Sequence, residues 1–150
     1  MGLFDLFKKP KKIEDEFFGT LTLIKPGDPS KAFLSGAGYF APAEKEIEHL
    51  IEASEQGPSQ SQRDFYLDLQ RNYDQYLLKI IPRLEEEFRK YEENFSIKNF
   101  REEFSLDSLT VPRITRETPD WEISFTTIHD GHVFTIQMTG DAPGDITLDG

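Results

Sequence analysis

Metal binding or proton transfer in this chain would most naturally use its three histidines, His49, His129 and His132. Imidazole exchanges protons near neutral pH and binds metals. His129 and His132 flank Asp130-Gly131, a dipeptide typical of a tight hairpin turn. Across such a turn, both imidazoles and the Asp130 carboxylate would offer ligands to a metal ion. The cluster supports one hypothesis, a metal-assisted hydrolase. Because hairpin tips are normally exposed and no further ligand is evident, we favour a solvated turn with no metal or cofactor.

The carboxylates offer many candidates for chemistry and little specificity. The chain has 28 Asp and Glu among 150 residues, so pairs suited to general acid-base work arise by chance. Asp141 and Asp145 are four residues apart, but Pro143 and Gly144 between them do not fit a calcium-binding loop. The chain has no cysteine, which excludes disulfides, thiolate metal sites and cysteine nucleophiles. The sequence therefore names no catalytic residue.

Net charge points to a class of partner. Seventeen Lys and Arg oppose 28 Asp and Glu, which gives a formal net charge of −11, and no Lys or Arg follows residue 117. Such a surface repels phosphate polyanions, so we expect no nucleic-acid binding. It attracts basic proteins and accelerates their encounter. The leading hypothesis is a non-enzymatic domain that binds a basic protein, and the alternative is that the charge serves solubility alone.

Aromatic residues are a second candidate for recognition, since the chain has thirteen Phe and five Tyr. Tyrosine and tryptophan give large amphipathic contact areas at low entropic cost. For each tyrosine we favour core packing over recognition, because the tyrosines share a helical spacing with Leu and Ile. The predicted binding residues are Tyr66, Tyr73, Tyr76, Trp121, Asp141 and Asp145.

Residues 1–12 form a separate basic and apolar arm, MGLFDLFKKPKK. Its apolar residues precede its lysines, which is the reverse of a secretory signal, and no apolar run approaches the length of a spanning helix. We therefore expect a cytoplasmic protein. Such an arm could also contact an anionic membrane, so a membrane-peripheral adaptor is the third hypothesis. We favour an arm that docks on its own domain, or a frayed terminus, over membrane contact.

The N-terminal part of residues 13–150 predicts two strands and a short helix. Residues 16–24 and 32–40 alternate as strands do, and a turn over 25–30 separates them. Gly36 and Gly38 in the second strand indicate a bulge or a close backbone approach. Pro42 and the glutamates that follow predict a short helix that ends near residue 55.

A long amphipathic helix is predicted over residues 59–95, where apolar residues recur at steps of three and four. A capping-box spacing begins it, and Pro82 predicts a kink or break because the helix would otherwise be about 55 Å long. Residues 97–104 predict one or two further helical turns. Residues 106–114 contain Pro112 and predict an edge strand at best.

The C-terminal part predicts a hairpin of residues 121–128 and 132–139, followed by a short final strand at Ile146 and Leu148. Residues 13–150 are therefore predicted to form a single α+β domain. We expect a small, mostly antiparallel sheet, built from the N-terminal strand pair and the C-terminal hairpin. A short helix and a long Pro-kinked helix would pack against it. Strand order and oligomeric state stay open.

Short motifs along the chain resemble those of uncharacterised bacterial families. They lie at Phe17–Leu21, Ser35–Phe40, Gln62–Ile81, Trp121–Phe125 and Asp149-Gly150. Members of these families resemble small immunity proteins found beside secreted or contact-delivered toxins. The resemblance implies an inhibitor of a basic toxin or effector, and it implies no active site.

Overall fold

A computed structural model describes residues 10–24 and 29–149 of the chain. Most of the N-terminal arm, residues 1–9, therefore lies outside the described residues, and so does most of the turn predicted over 25–30. No helix in the described ranges has both the length and the apolar character needed to span a bilayer.

Eight strands form one sheet in which sequence neighbours are also sheet neighbours, in the order β1 to β8. Six of the strand pairs are antiparallel, and β4 pairs with β5 in parallel because the helices connect them. The strands are β1 Lys12–Asp15, β2 Gly19–Ile24, β3 Phe33–Phe40, β4 Lys45–Ile51, β5 Phe104–Val111, β6 Asp120–Thr127, β7 Val133–Thr139 and β8 Ala142–Asp149. The helices are α1 Gln60–Arg71, α2 Tyr73–Phe88 and α3 Phe100–Glu103, and 3₁₀ turns occupy Pro29–Lys31 and Ala41–Ala43.

The α+β class and the mostly antiparallel sheet are confirmed, but the sheet is large rather than small. The short helix predicted from Pro42 to near residue 55 is wrong, because β4 occupies its centre. Ile47, His49 and Ile51 are buried, while Glu46 and Glu48 on either side of Ile47 are exposed, which is the period of two of a strand. Pairing of all seven β4 residues with β3 overrides the local helical pattern.

The prediction of at best an edge strand over residues 106–114 is also wrong. β5 lies inside the sheet between β4 and β6, and Pro112 comes one residue after its end. A β-bulge places Asp107 as an extra residue between Leu106 and Ser108. The bulge sets the two buried leucines, Leu106 and Leu109, three positions apart, so the residues do not alternate in the sequence.

The helical segment is divided at Asn72, which ends α1 and precedes α2, and not at Pro82. The helix α2 continues through Pro82 and ends at Phe88, short of the predicted residue 95. The predicted capping box is confirmed, since Ser59 Oγ accepts from the Gln62 backbone at 3.2 Å and Gln62 Oε1 accepts from the Ser59 backbone at 2.9 Å. The further helical turns predicted near residue 100 form α3.

The C-terminal hairpin of β6 and β7 is confirmed, although its loop is longer than a two-residue turn. Gly131 N donates to Thr127 O at 3.1 Å, and Gly131 has a φ of 75°. The two-residue turn lies instead at Gly140-Asp141, between the paired Thr139 and Ala142. The predicted short final strand is β8, which is eight residues long.

The helices cover one face of the sheet and build the core there. Apolar side chains that alternate along the inner strands meet the buried side of α1 and α2. The sheet contributes Leu21, Leu34, Ile51, Leu109, Ile123, Phe125 and Ile136, and the helices contribute Leu69, Tyr73, Leu77, Ile80 and Leu84. The opposite face of the sheet, which we call the open face, is covered by no helix of the described residues.

Candidate functional site

The open face is lined mainly by hydroxyl and carboxylate side chains. Because successive side chains of a strand point to opposite faces, the residues next to the buried apolar ones along each strand have their side chains on this face. One row of register partners crosses six neighbouring strands, from Ala37 on β3 through Glu48, Ser108, Ser124 and Thr135 to Thr147 on β8. The row forms a polar surface on a regular backbone.

The charge of the open face is negative. Strands β2 to β8 contain one basic residue other than histidine, Lys45, whose Nζ donates to Ser105 Oγ at 2.6 Å. Lys45 is in register with the buried Phe40 and belongs to the helical side, whereas Lys12 on β1, opposite Thr22, lies on the open face. Asp107 and Ser108 of the β5 bulge both point away from the helices, because the flanking Leu106 and Leu109 point toward them. The acidic residues of the open face are Glu14, Glu46, Glu48, Asp107, Asp120, Glu122, Asp145 and Asp149.

Three of these carboxylates, Glu46, Glu48 and Asp107, are exposed on β4 and β5 and form no ion pair within residues 10–24 and 29–149. Glu122 instead accepts from Gln137 Nε2 at 2.7 Å, and Asp120 pairs with Arg116. The centre of the open face therefore carries uncompensated negative charge. Exposed carboxylates of this kind attract a cationic surface over a distance of about 10 Å.

Hydrogen bonds between neighbouring strands order the polar side chains of the open face. Ser124 Oγ and Thr135 Oγ1 are 2.8 Å apart, and Thr110 Oγ1 accepts from the Glu122 backbone at 2.7 Å. Ordered side chains lose less conformational entropy when a partner binds. The surface is consequently preorganised for contact.

Three of the predicted binding residues lie in the core. Tyr66, Tyr73 and Trp121 are 5%, 4% and 2% exposed, so they offer almost no surface to a partner. Burial raises the pKa of Tyr66 to about 12 and also raises that of Tyr73. The Trp121 indole donates to the Gly140 carbonyl at 2.7 Å, which fixes the turn before β8.

Tyr76 and Asp141 both line a cleft of about 470 Å³ between the α1–α2 junction and the β7–β8 turn, whereas Trp121 is buried. The Tyr76 ring lies 5.8 Å from that of Trp121, and its hydroxyl donates to Asp68 Oδ2 at 3.0 Å. Lys79 Nζ pairs with Asp141 Oδ2 at 2.6 Å, and this contact lowers the pKa of Asp141. Lys79 compensates Asp141, and Asp68 accepts hydrogen bonds from Asn72 and Tyr76, so this cleft carries less negative charge than the open face. Asp145 is separate from the cleft, on β8.

The histidine cluster predicted at the hairpin is not assembled. His129 Nε2 lies 2.8 Å from Glu103 Oε1, whereas His132 Nδ1 lies 3.4 Å from Asp130 Oδ2. Across the described ranges, no three His, Asp or Glu side chains are placed to hold a metal ion. The two imidazoles therefore have separate carboxylate partners, and Asp130 also accepts from the His132 backbone in a turn.

Glu103, whose role the sequence did not indicate, joins three segments. Its Oε2 accepts from the Lys98 and Asn99 backbones at 2.8 and 2.6 Å, and its Oε1 contacts His129. Its carbonyl accepts from Ile128 N and Thr127 Oγ1, both at 3.0 Å. Glu103 thus ties the start of α3 to the β6–β7 loop.

Replacing Glu103 by alanine is expected to lower the free energy of unfolding by about 2 kcal/mol, because several charge-assisted hydrogen bonds are lost. Hydrogen bonds from Asn99, His129 and Lys98 lower the pKa of the Glu103 carboxyl below its ordinary 4.5. The stabilisation is therefore present above about pH 4.5 and is lost as the pH falls through the lowered pKa. Urea unfolding at about pH 7 and about pH 3 measures both effects. Glu102→Ala is the control, and an equal loss in it would contradict this role.

His49, which falls within the short helix that the sequence predicts, is instead buried on β4, only 2% exposed. Its ring packs at 5.4 Å from Phe18 and 6.1 Å from Tyr66, measured between centroids. Neither ring nitrogen has a hydrogen-bond partner among the described residues. Burial lowers the pKa of His49, so the imidazole is neutral near pH 7.

Gly36 and Gly38 of β3 make the room for this ring. A Cβ on Gly36 would lie 3.0 Å from His49 Nε2, and a Cβ on Gly38 would lie 3.3 Å from His49 Cε1. The sequence allowed two roles for these glycines, a bulge or a close approach to the backbone. The structure shows the close approach, and the core side chain that comes close is His49. The sequence could not assign this role because it predicts His49 on a helix.

Comparison of the chain with protein-family models, with curated proteins and with solved structures gave no match.

Proposed function

We propose that this chain is a non-enzymatic binding domain whose open face captures a basic protein. The observation that carries the proposal is that Glu46, Glu48 and Asp107, at the centre of the open face, form no ion pair within the described residues. The activity would be that of an immunity-type inhibitor that covers a basic toxin or effector.

Several basic residues on the helical side are paired with acids, in contrast to the three carboxylates at the centre of the open face. Arg63 Nη2 pairs with Asp15 Oδ1 at 2.9 Å, Arg83 Nη1 pairs with Glu87 Oε2 at 3.2 Å, and Arg101 Nη2 pairs with Asp74 Oδ1 at 2.9 Å. Each of these pairs is neutral as a whole and so adds little to the field of the helical side, whereas Glu46, Glu48 and Asp107 act together on the open face. A field of one sign over one surface steers an oppositely charged protein toward it.

The shape of the open face also suits a protein partner. A paired eight-stranded sheet moves little on binding, so a complementary surface can form without much reorganisation. Its hydroxyl groups donate as well as accept hydrogen bonds, while its carboxylates accept from Lys and Arg. The face can thus provide a polar contact with a charged centre.

The test is affinity capture from the native cells at low salt, followed by kinetics with the purified basic protein that is captured. Two baits of equal net charge are compared with the wild type. One carries Glu46→Lys, Glu48→Lys and Asp107→Lys on the open face. The other carries Glu86→Lys, Glu93→Lys and Glu102→Lys, three exposed positions outside the sheet. The open-face bait is expected to associate about 10- to 100-fold more slowly, and the other to keep most of the wild-type rate.

Salt provides the second arm of this test. The wild-type association rate is expected to fall steeply as ionic strength rises. The proposal would be contradicted by an association rate that does not change with salt, or by an equal loss of association rate in both baits. The hydrolase alternative lacks its three-residue ligand set in the described structure. The membrane-adaptor alternative depends on residues 1–12, of which 1–9 lie outside the described residues, and liposome flotation with and without the arm tests it.

A further inference from the structure

The two edges of the sheet differ in how they are protected. The strand β1 has four residues and carries Lys12 and Glu14, and short charged edges resist pairing with other chains. The strand β8 has eight residues and no Lys or Arg. Pro143 and a register shift opposite Gln137 disturb the first half of β8. Its second half, Ile146–Asp149, pairs regularly with β7 and leaves its outer backbone groups without a strand partner in the described sheet.

An apolar groove lies beside this regular half of β8. It has a volume of about 130 Å³ and is formed where the end of α2 meets β7 and β8. Tyr91 and Leu148 on its border are 84% and 50% exposed, which is unusual for large apolar side chains. Its lining residues are Glu87, Phe88, Tyr91, Asp130, Phe134, Ile146 and Leu148.

Acidic residues surround the groove and the edge. Asp130 lies at the groove, while Asp145 and Asp149 alternate along β8 with Ile146 and Leu148. Glu87 is compensated by Arg83 and Lys90, whereas Asp145 and Asp149 form no ion pair within the described ranges. An occupant of this edge therefore meets apolar side chains toward the helices and carboxylates toward the open face.

We propose that the β8 edge binds an extended basic segment of a partner protein by strand addition. The backbone of the segment pairs with Ile146–Asp149 and extends the sheet. Its side chains alternate, so that apolar ones enter the groove beside Tyr91 and Leu148, and Lys or Arg side chains face Asp145 and Asp149. The inference goes beyond the proposed function and does not require it, because backbone pairing at an edge does not use the centre of the open face.

The test uses a blocked hexapeptide of alternating lysine and valine in which one valine is replaced by phenylalanine. Its matched control has the same side chains but N-methyl groups on alternate amides, which remove the donors needed for pairing. The unmodified peptide is expected to shift the amide resonances of Ile146–Asp149 and to protect alternate ones from exchange. The methylated peptide is expected to bind about tenfold more weakly or worse.

Variants of exposed residues locate the contact without threatening the fold. Tyr91→Ala and Leu148→Lys are expected to weaken the peptide about tenfold. Leu78→Ala, at an exposed apolar position on α2 outside the groove, is expected to leave its affinity unchanged. The triple open-face variant with Lys at 46, 48 and 107 is also expected to keep binding the peptide, which separates this inference from the proposed function.

Four results would overturn strand addition. They are equal affinity of the methylated and unmodified peptides, loss of binding in the open-face variant alone, no binding at millimolar peptide, and dimerisation of the free protein through β8. The second of these would leave the proposed function standing, since it would place the peptide on the open face. The fourth would assign the edge to a second copy of this chain.

Discussion

Replacing Gly36 by alanine is expected to lower the free energy of unfolding by about 2 kcal/mol. The new Cβ would lie 2.7 Å from Leu21 Cδ2 and 3.0 Å from both Thr20 O and His49 Nε2. Leu21 and His49 are buried and Thr20 contributes a backbone atom, so none of them can yield cheaply. This cost exceeds the gain of up to about 1 kcal/mol that alanine normally brings by restricting the unfolded chain. Urea unfolding at neutral pH measures the difference.

The matched control is Gly38→Ala, two residues along the same strand. Its Cβ would meet only the His49 ring, at 3.3 Å from Cε1. A shift of a few tenths of an ångström relieves that contact, so we expect a change within about 0.5 kcal/mol. Equal losses in the two variants would show that strand glycines are required here for backbone conformation. The packing of His49 would then not be the cause.

The sequence predicted the fold class and the hairpin of β6 and β7 because these features are encoded locally. Trp121, Ile123 and Phe125 alternate, and Asp130-Gly131 is a strong turn signal. The capping box at Ser59 was equally local. Each of these elements can be recognised from a few neighbouring residues.

The number of strands could not be predicted, because β4 and β5 depend on distant pairing. Ile47, Leu50 and Ile51 have helical spacing, and only the register with β3 and β5 makes Ile47 and Ile51 inward-facing strand residues. In β5 the bulge at Asp107 broke the alternation that would have revealed the strand. The helical pattern of β4 and the irregular pattern of β5 therefore concealed the middle of the sheet.

The candidate site was hidden by the same two errors. Glu46 on a predicted helix was interpreted as favouring a helix dipole, whereas on β4 it lies with Glu48 on one exposed face. The net charge predicted a basic partner, but it could not locate the surface. Conversely, Tyr66 of α1 and Tyr73 of α2 pack inward because the helices cover a sheet wide enough to bury them. Location of an acidic surface requires the strand register, which composition does not contain.

Acidification is expected to destabilise the protein through His49 at pH values where the carboxylates are still ionised. Burial lowers the pKa of His49 below its ordinary 6.5, so the folded state binds a proton less readily than the unfolded chain. The free energy of unfolding is therefore unaffected above about pH 6.5. Below that it falls by about 1.4 kcal/mol per pH unit until the lowered pKa is reached. The neighbouring Tyr66 hydroxyl does not stabilise a protonated His49 by an opposite charge, since it is itself neutral, with a pKa raised to about 12.

The comparison that isolates His49 is urea unfolding of the wild type and His49→Leu between about pH 7.5 and about pH 5. The pKa values of the paired acids Asp15, Glu87, Glu103 and Asp141 are lowered, so these groups contribute little in this range. Both proteins keep His129 and His132, and the difference between their curves therefore reports position 49. We expect the variant to lose the slope and to be no less stable at about pH 7.5, because two buried nitrogens without partners are removed. Parallel curves would mean that water or a residue outside the described ranges satisfies the imidazole.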